Sequence, residues 1–179
     1  TACSQISAWM QAGTPLRVAV NISAQQFRQH DLAAKVHAAL KNTGAQAQWL
    51  DIEITESVAM TQSDQARAQL NALAALGCRV ALDDFGTGYS SLAYLKSLPV
   101  HKLKIDKSFM DGVLNEGSDA SITRAIIALA QSLGMDLVAE GVETDAQRVF
   151  LQTHGCHTYQ GWLFAKAMTA SDLTQLLPV

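Results

Sequence analysis

Polar residues recur at one kind of place in this chain. Asn21, Glu53, Asp83 with Asp84, Lys104 with Asp106, Glu140 and Gln160 each stand at the C-terminal end of a short run of aliphatic and β-branched residues. Carboxylates dominate the set. Two carboxylates 4 Å apart repel by about 4 kcal/mol at an effective dielectric of 20, so several held together cannot all stay ionised without cations. Hard oxygen donors with no clustered His or Cys suit Mg²⁺ or Mn²⁺ rather than zinc. Two such ions about 3.5–4 Å apart can activate a water and stabilise the leaving oxygen of a phosphodiester. Any one of these acids could simply cap a helix or face solvent; their repetition on successive units is what points to chemistry.

The elements that must bring them together are short strands alternating with amphipathic helices. Strands are expected at 16–21, 50–55, 79–83, 101–105, 135–140 and 156–159. Helices are expected at 31–42, where Leu32, Val36 and Leu40 make one face, and at 63–76, 92–98, 119–133 and 144–153, with a helical turn near 108–114 and a last helix capped by Ser171. Gly44, Gly77, Gly134 and Gly155 stand just past helix ends, where a left-handed residue is favoured. Parallel strands joined by helices form either an open doubly wound sheet or a barrel. Strands at the two edges of an open six-stranded sheet lie more than about 20 Å apart, at about 4.8 Å per strand. Six polar tips converge only if the strands curl round one axis, as in a (β/α)8 barrel with its site at the C-terminal face. The expected fold is therefore α/β, a TIM-type (β/α) barrel with about six βα units, incomplete at the N-terminus.

Composition agrees with one domain over 1–179. The chain is 49% hydrophobic and 16% charged, with a net charge of −3, so it has apolar material for a core and the wrong sign for neutralising a nucleic-acid polymer. Cys3, Cys78 and Cys156 are odd in number and widely spaced, which reads as reduced core thiols and a cytoplasmic setting. No signal peptide or membrane-inserting run is present, and the missing initiator Met suggests a piece of a longer protein.

The densest motif is Asp83-Asp84-Phe85-Gly86-Thr87-Gly88-Tyr89-Ser90-Ser91-Leu92. Adjacent acids ending a strand cannot both enter the core, so at least one turns to the mouth, and the glycines permit a loop with positive φ. Acids before the Gly-x-Gly set it apart from a dinucleotide-binding fingerprint. Together with VNIS (20–23) and the following AQQF, EITES (53–57), LKID (103–106), AEGVE (139–143) and QGWLF (160–164), this stretch closely resembles the EAL domain family, bacterial phosphodiesterases that open cyclic di-GMP to linear pGpG. The motifs occur in family order over nearly the whole chain.

The resemblance implies a modified TIM barrel with one antiparallel strand, and it implies roles. Asn21, Glu53, Asp83, Asp84, Asp106 and Glu140 match the metal site for two Mg²⁺ or Mn²⁺ ions, with Asp83 as the bridge. Lys104 matches the residue that contacts the nucleophilic water, and Glu140 and Gln160 complete that network. Glu56 matches the acid that anchors the loop after Asp84. Ser23 and Glu143 match substrate contacts. The partner implied is cyclic di-GMP, with upstream sensory or GGDEF-type domains in the parent protein.

Some positions depart from the pattern. The namesake Glu-Ala-Leu, with its metal-binding Glu and nearby Arg, is absent and is expected upstream of Thr1. Without it the chain as given lacks one ligand and its first strands, so it is expected to be inactive or nearly so and to homodimerise, swap segments or aggregate through the open seam. A catalytically inactive sensor that binds cyclic di-GMP is the alternative function. Trp162 stands where the family often has Tyr, and Ala167 where it often has Pro. His154 and His157, flanking Cys156, read as a helix end and strand start rather than metal ligands. Trp9 and Trp49 read as packing residues, and Lys96, His101 and Lys102 as a solvated rim. Phe85 and Tyr89 read as loop anchors or dimer contacts.

Overall fold

Five segments in which aliphatic residues alternate with polar ones form the strands of a single sheet, and amphipathic segments between them form the helices. A computed structural model of the chain describes residues 1–61, 63–88, 91–115 and 117–177. In chain order the elements are α1 (Ala2–Gln11), β1 (Val18–Asn21), α2 (Ala24–Phe27), α3 (Leu32–Thr43), β2 (Leu50–Thr55), α4 (Glu56–Ala59), α5 (Asp64–Ala75), β3 (Arg79–Phe85), α6 (Leu92–Ser97), β4 (Lys102–Ile105), α7 (Ser118–Leu133), β5 (Asp136–Ala139), α8 (Asp145–Thr153) and α9 (Ala170–Leu176). Single 3₁₀ turns precede β2 at Ala47–Trp49 and follow β4 at Lys107–Phe109.

The strands lie in the order β1-β2-β3-β4-β5, and every ladder pairing among the described residues is parallel. A doubly wound sheet reverses its strand order at a switch point; this order never reverses, which makes the sheet an arc of a TIM-type (β/α) barrel. Outward-facing Leu50, Ile52, Ile54, Val80, Leu82, Leu103 and Ile105 pack with helix residues such as Leu70, Leu73, Leu95, Ile126 and Ile127 in one buried core. On β2 the inward-facing Asp51 and Glu53 are buried as well. A strand covered on both faces is what a curled sheet requires.

Some expectations are corrected. The sheet has five strands; the sixth, expected at 156–159, is reduced to a single parallel bridge between Ala139 and Tyr159. Its backbone still bonds to the end of β5, with Gln160 N–H donating to Ala139 C=O at 2.8 Å. Backbone bonds continue beyond it, from Val142 N–H to Gln160 C=O and from Leu163 N–H to Val142 C=O, both at 3.0 Å, and at Gly161 the two segments lie so close that a Cβ would be 2.2 Å from the Val142 carbonyl oxygen. The last helix is capped by Thr169, not Ser171, because Thr169 and Asp172 form a reciprocal capping box. The turn near 108–114 is 3₁₀ at Lys107–Phe109, started by the Asp106 carboxylate, which accepts from Ser108 N–H. Phe85 is core, 4% exposed, while Tyr89 lies outside the described residues. His101 and Lys102 are half-buried rather than a rim. The helices α2 and α4 are too short to show periodicity, although Ser23 and Gln26 carry a capping-box signature for α2.

Trp9 is buried in α1 and its indole N–H donates to Thr174 Oγ1 of α9 at 2.8 Å, tying the first helix to the last. The three cysteines are buried and unpaired. Burial, with Cys3 and Asp51 nearby, pushes the Cys78 thiol up to about 11. Among the described residues, no helix is long and apolar enough to cross a membrane.

Leu82 is fully buried on the central strand. Leu82→Ala is expected to cost about 2–5 kcal/mol, the usual range for a packed leucine. Urea unfolding checks this; a loss below about 1 kcal/mol would mean the site collapses or is poorly packed.

Candidate active site

Strand alternation puts Lys104 on the inner face of β4, where its side chain is 5% exposed. Its Nζ lies 2.6 Å from Glu140 Oε1, 2.7 Å from Glu53 Oε2 and 3.0 Å from Asp83 Oδ1. An ammonium has three protons to give, and here three carboxylates take them. Burial alone lowers its pKa, but the hydrogen bonds to Glu140, Glu53 and Asp83 outweigh that and raise it well above the usual lysine value. Lys104 is therefore a fixed cation and a donor, not a base.

The acids around it come from different strand ends. Glu53 sits inside β2, 5% exposed. Glu140 follows β5 and is held by its own N–H, which donates to Ile105 C=O at 3.1 Å. Its Oε1 also accepts from Gln160 Nε2 at 2.6 Å. Burial raises the Glu140 pKa, and crowding by Asp83 and Glu53 adds to this against the pull of Lys104.

Asp83 and Asp84 are consecutive on β3, so a regular strand would send them to opposite faces. The β3–β4 register shifts between Leu82 and Phe85, and Asp84 takes a left-handed φ of 53°. This irregularity turns both acids to the same end of the barrel. Carboxylate oxygens of Asp83, Asp84 and Glu140 lie within 4.8 Å of one another. That spacing and the all-oxygen donor set fit a hard divalent cation. Burial, then the Asp83 charge, raises the Asp84 pKa, and its carboxyl hydrogen-bonds to Asp106. Asp106 goes the other way: burial raises its pKa, but bonds from the Ser108 hydroxyl and N–H bring it below the usual range.

The loop after Asp84 is tied down. Glu56, 3% exposed at the start of α4, accepts from Gly86 N–H at 2.9 Å. Gly86 has a φ of 101°, and a Cβ there would lie 2.7 Å from Ile126 Cδ1. Gly88 serves differently from the expectation of positive φ: its bare α-carbon leaves room for the Glu56 carboxylate, which a Cβ would approach to 3.1 Å.

Other expected residues stand further from the cluster. Asn21 is opposite Glu53 in the β1–β2 register, with an exposed side chain. The Ser23 hydroxyl accepts from Gln26 N–H as the cap of α2, which accounts for it structurally. Glu143 is exposed, and its N–H donates to Gln147 Oε1 at 2.8 Å. The His154 ring bonds to the Phe150 carbonyl at 2.8 Å and packs on the Phe150 ring. Trp162 is 65% exposed with Lys166 Nζ 5.4 Å from its ring centroid. The sequence reading missed a second ionic group deeper in the barrel, Asp51 with Lys102 and Arg17. Part of its signal was present: Asp51 lies two residues before Glu53 on β2, and Lys102 two before Lys104 on β4.

Acids and an amine gathered at the C-terminal ends of parallel barrel strands define a TIM-barrel-like protein with its polar centre at the usual face. A family model described as EAL domain matches residues 1–167. The chain belongs to the EAL domain family. It is 43% identical over 173 residues to the bifunctional diguanylate cyclase/cyclic di-GMP phosphodiesterase MucR of Pseudomonas aeruginosa, covering 96% of this chain and 25% of MucR. The solved c-di-GMP complex of the PaMucR phosphodiesterase superposes with a TM-score of 0.93, covering 96% of this chain and 70% of that one. The EAL domain of Mycobacterium smegmatis DcpA gives 0.91 at 40% identity, covering 98% and 80%. The manganese/c-di-GMP complex of Klebsiella pneumoniae BlrP1 gives 0.81 at 30% identity, covering 92% and 42%. The chain spans about a quarter of the length of its curated relative MucR.

The raised Asp84 pKa has a testable sign. A carboxyl whose pKa is higher folded than unfolded costs stability when ionised, and that cost fades as pH falls through the folded value and is gone below the unfolded one. Asn removes the charge and tolerates a left-handed φ. In EDTA, Asp84→Asn is expected to raise the melting temperature near pH 7, with the gain shrinking toward pH 4. A gain independent of pH would refute this electrostatic account.

Proposed function

We propose that the domain to which this chain belongs hydrolyses cyclic di-GMP to linear pGpG with two divalent cations, Mg²⁺ or Mn²⁺, held by Asn21, Glu53, Asp83, Asp84, Asp106 and Glu140. The observation that carries this reading is the convergence of Glu53, Asp83 and Glu140 on Lys104, beside Asp84, in an EAL domain. MucR is named a cyclic di-GMP phosphodiesterase, and BlrP1 was solved with manganese and the same nucleotide. Bound cations supply Lewis acidity, lowering the proton affinity of a water and offsetting charge on the scissile phosphate.

The chain's own groups do the rest. Water adds to phosphorus, the bond from phosphorus to the 3′ oxygen breaks, and that oxygen leaves as a hydroxyl by taking a proton from solvent. Glu140, with its raised pKa, is suited to take the water's proton. Gln160 orients that carboxylate through the 2.6 Å bond to Oε1. Lys104 holds three carboxylates in place and can donate to the entering water by sharing one of its three protons. Glu56 keeps the loop after Asp84 seated, which sets where Asp83 and Asp84 stand. Glu143 and Ser23 contact the nucleotide at the barrel mouth. The whole protein acts in the cytoplasm, and further domains control this one.

Conversion of cyclic di-GMP to pGpG, followed chromatographically with Mn²⁺, Mg²⁺ or EDTA, tests the reading. Hydrolysis is expected with either ion and none in EDTA. Asp83→Asn is expected to lose turnover by about three powers of ten or more, because one charge serves the whole cluster. Retained Mn²⁺-dependent hydrolysis in that variant would show the ligand assignment to be wrong. Nucleotide binding without hydrolysis in a chain extended upstream through the expected Glu-Ala-Leu would favour a sensor instead.

Glu56→Ala should lower the rate while leaving the fold intact, through a misplaced loop. Unaltered rate and metal affinity would remove Glu56 from the mechanism.

A further inference from the structure

One buried amide joins the two loops that carry acids beyond β4 and β5. Gln147 lies in the first turn of α8 and is 9% exposed. Its Oε1 accepts from Glu143 N–H at 2.8 Å and from Thr144 N–H at 2.9 Å. Its Nε2 donates to Met110 C=O at 2.9 Å, 37 residues away in the chain. Two N–H donors face one end of the amide and a carbonyl faces the other, so the network fixes which end is which.

Its partners lie on the segments that hold the site. Met110 is buried and follows the 3₁₀ turn that Asp106 starts. Its carbonyl also accepts from Val113 N–H, at a longer 3.5 Å. Glu143 stands three residues after Glu140 on the loop that leaves β5. The loops touch at a second point: Gly141 has a φ of 68°, and a Cβ there would lie 2.6 Å from Lys107 Cβ. Just before it, Glu140 N–H donates at 3.1 Å to the carbonyl of Ile105, the residue preceding Asp106.

Part of this arrangement is an ordinary helix start. Thr144 and Gln147 form a reciprocal capping box, and a glutamate in place of Gln147 would serve that box as well. A negative charge in the first turn would even favour the helix. The bond to Met110 is a separate matter, because near neutral pH only an amide offers both an acceptor and a donor. We propose that Gln147 is a positioning residue: it locks the loop of Glu140 and Glu143 to the loop of Asp106 and so fixes the separation of the acids they carry. That those acids serve cations rests on the function proposed above; the locking does not.

Gln147→Glu separates the two roles. Near pH 7.5 two N–H groups hold the new carboxylate ionised, so the capping bonds survive while Met110 C=O loses its donor. Thr144→Ala is the converse, removing the capping hydroxyl and leaving the Gln147 amide in place. Hydrogen exchange of the Glu140 amide is followed by NMR in EDTA, and Mn²⁺ affinity by calorimetry, both well below each variant's melting temperature. Gln147→Glu is expected to speed Glu140 exchange and to weaken Mn²⁺ binding, each by about tenfold or more, as loss of an outer-shell partner does. Thr144→Ala is expected to lower the melting temperature yet keep both readouts within about threefold of the parent. If Gln147→Glu does not fold, Gln147→Ala, which buries no charge, is expected to show the same two losses. Parental exchange and affinity in a folded Gln147 variant would overturn the proposal, as would equal losses in Thr144→Ala. Faster exchange with unchanged affinity would overturn it too, since the lock would then position nothing. The exchange needs neither metal nor nucleotide: a parent that binds no Mn²⁺ refutes the metal reading, and Glu140 exchange still decides the locking.

Discussion

One ammonium buried among three carboxylates is the constraint on which the rest depends. Lys104 is nearly inaccessible to water, and a lysine in that position must be paired or neutral. Glu53 from β2, Asp83 from β3 and Glu140 from the end of β5 supply the partners. The pairing therefore links strands on both sides of β4, including β2, which is not its neighbour in the sheet. It also leaves the cluster short of positive charge, because one cation faces three anions with Asp84 close by. A barrel that folds round this group has a surplus of negative oxygen at its mouth before any ligand is considered, and that surplus gives a divalent cation its affinity.

The geometry of β3 serves the same centre at a local cost. A strand that carries two consecutive acids would bury one of them on the outer, apolar face. The register shift and the left-handed Asp84 avoid that outcome and deliver both to the mouth. Such a φ is uncommon for a residue with a side chain, and Asp is among the few that adopt it readily. Glu56 then takes up the next backbone N–H, that of Gly86, so the irregular end of the strand passes directly into an anchored loop. The two glycines of that loop answer two different needs, a positive φ at Gly86 and clearance for a carboxylate at Gly88.

Charge within the barrel is arranged in two levels of opposite balance. The upper level holds Glu53, Asp83, Glu140 and Lys104. The lower holds Asp51 with Lys102 and Arg17, and Arg79 with Asp136. Acids prevail above and bases below. The lower level thus fills the interior with paired groups where a small barrel would otherwise carry packed aliphatic layers, and it places compensating positive charge beneath the anionic mouth.

Much of this was open to a reading of the residues. Hydrophobic alternation located all five strands, because period 2 is a local property of the chain. Capping residues marked several helices, with Ser63 and Thr144 at their starts and left-handed Gly44 and Gly134 at their ends. The recurrence of acids at strand tips, and the motifs of the EAL family, named the polar centre before any coordinates. What the sequence could not settle depends on distances across strands. The LKID motif singles out Lys104, but the pairing of Glu53 with Lys104 and of Asp51 with Lys102 is made by register and side-chain reach. The same holds for Asp84, whose facing depends on a single backbone angle, and for the sixth strand, which is reduced to one bridge between Ala139 and Tyr159. Local pattern decided which residues could act; the curvature and register of the sheet decided which of them meet.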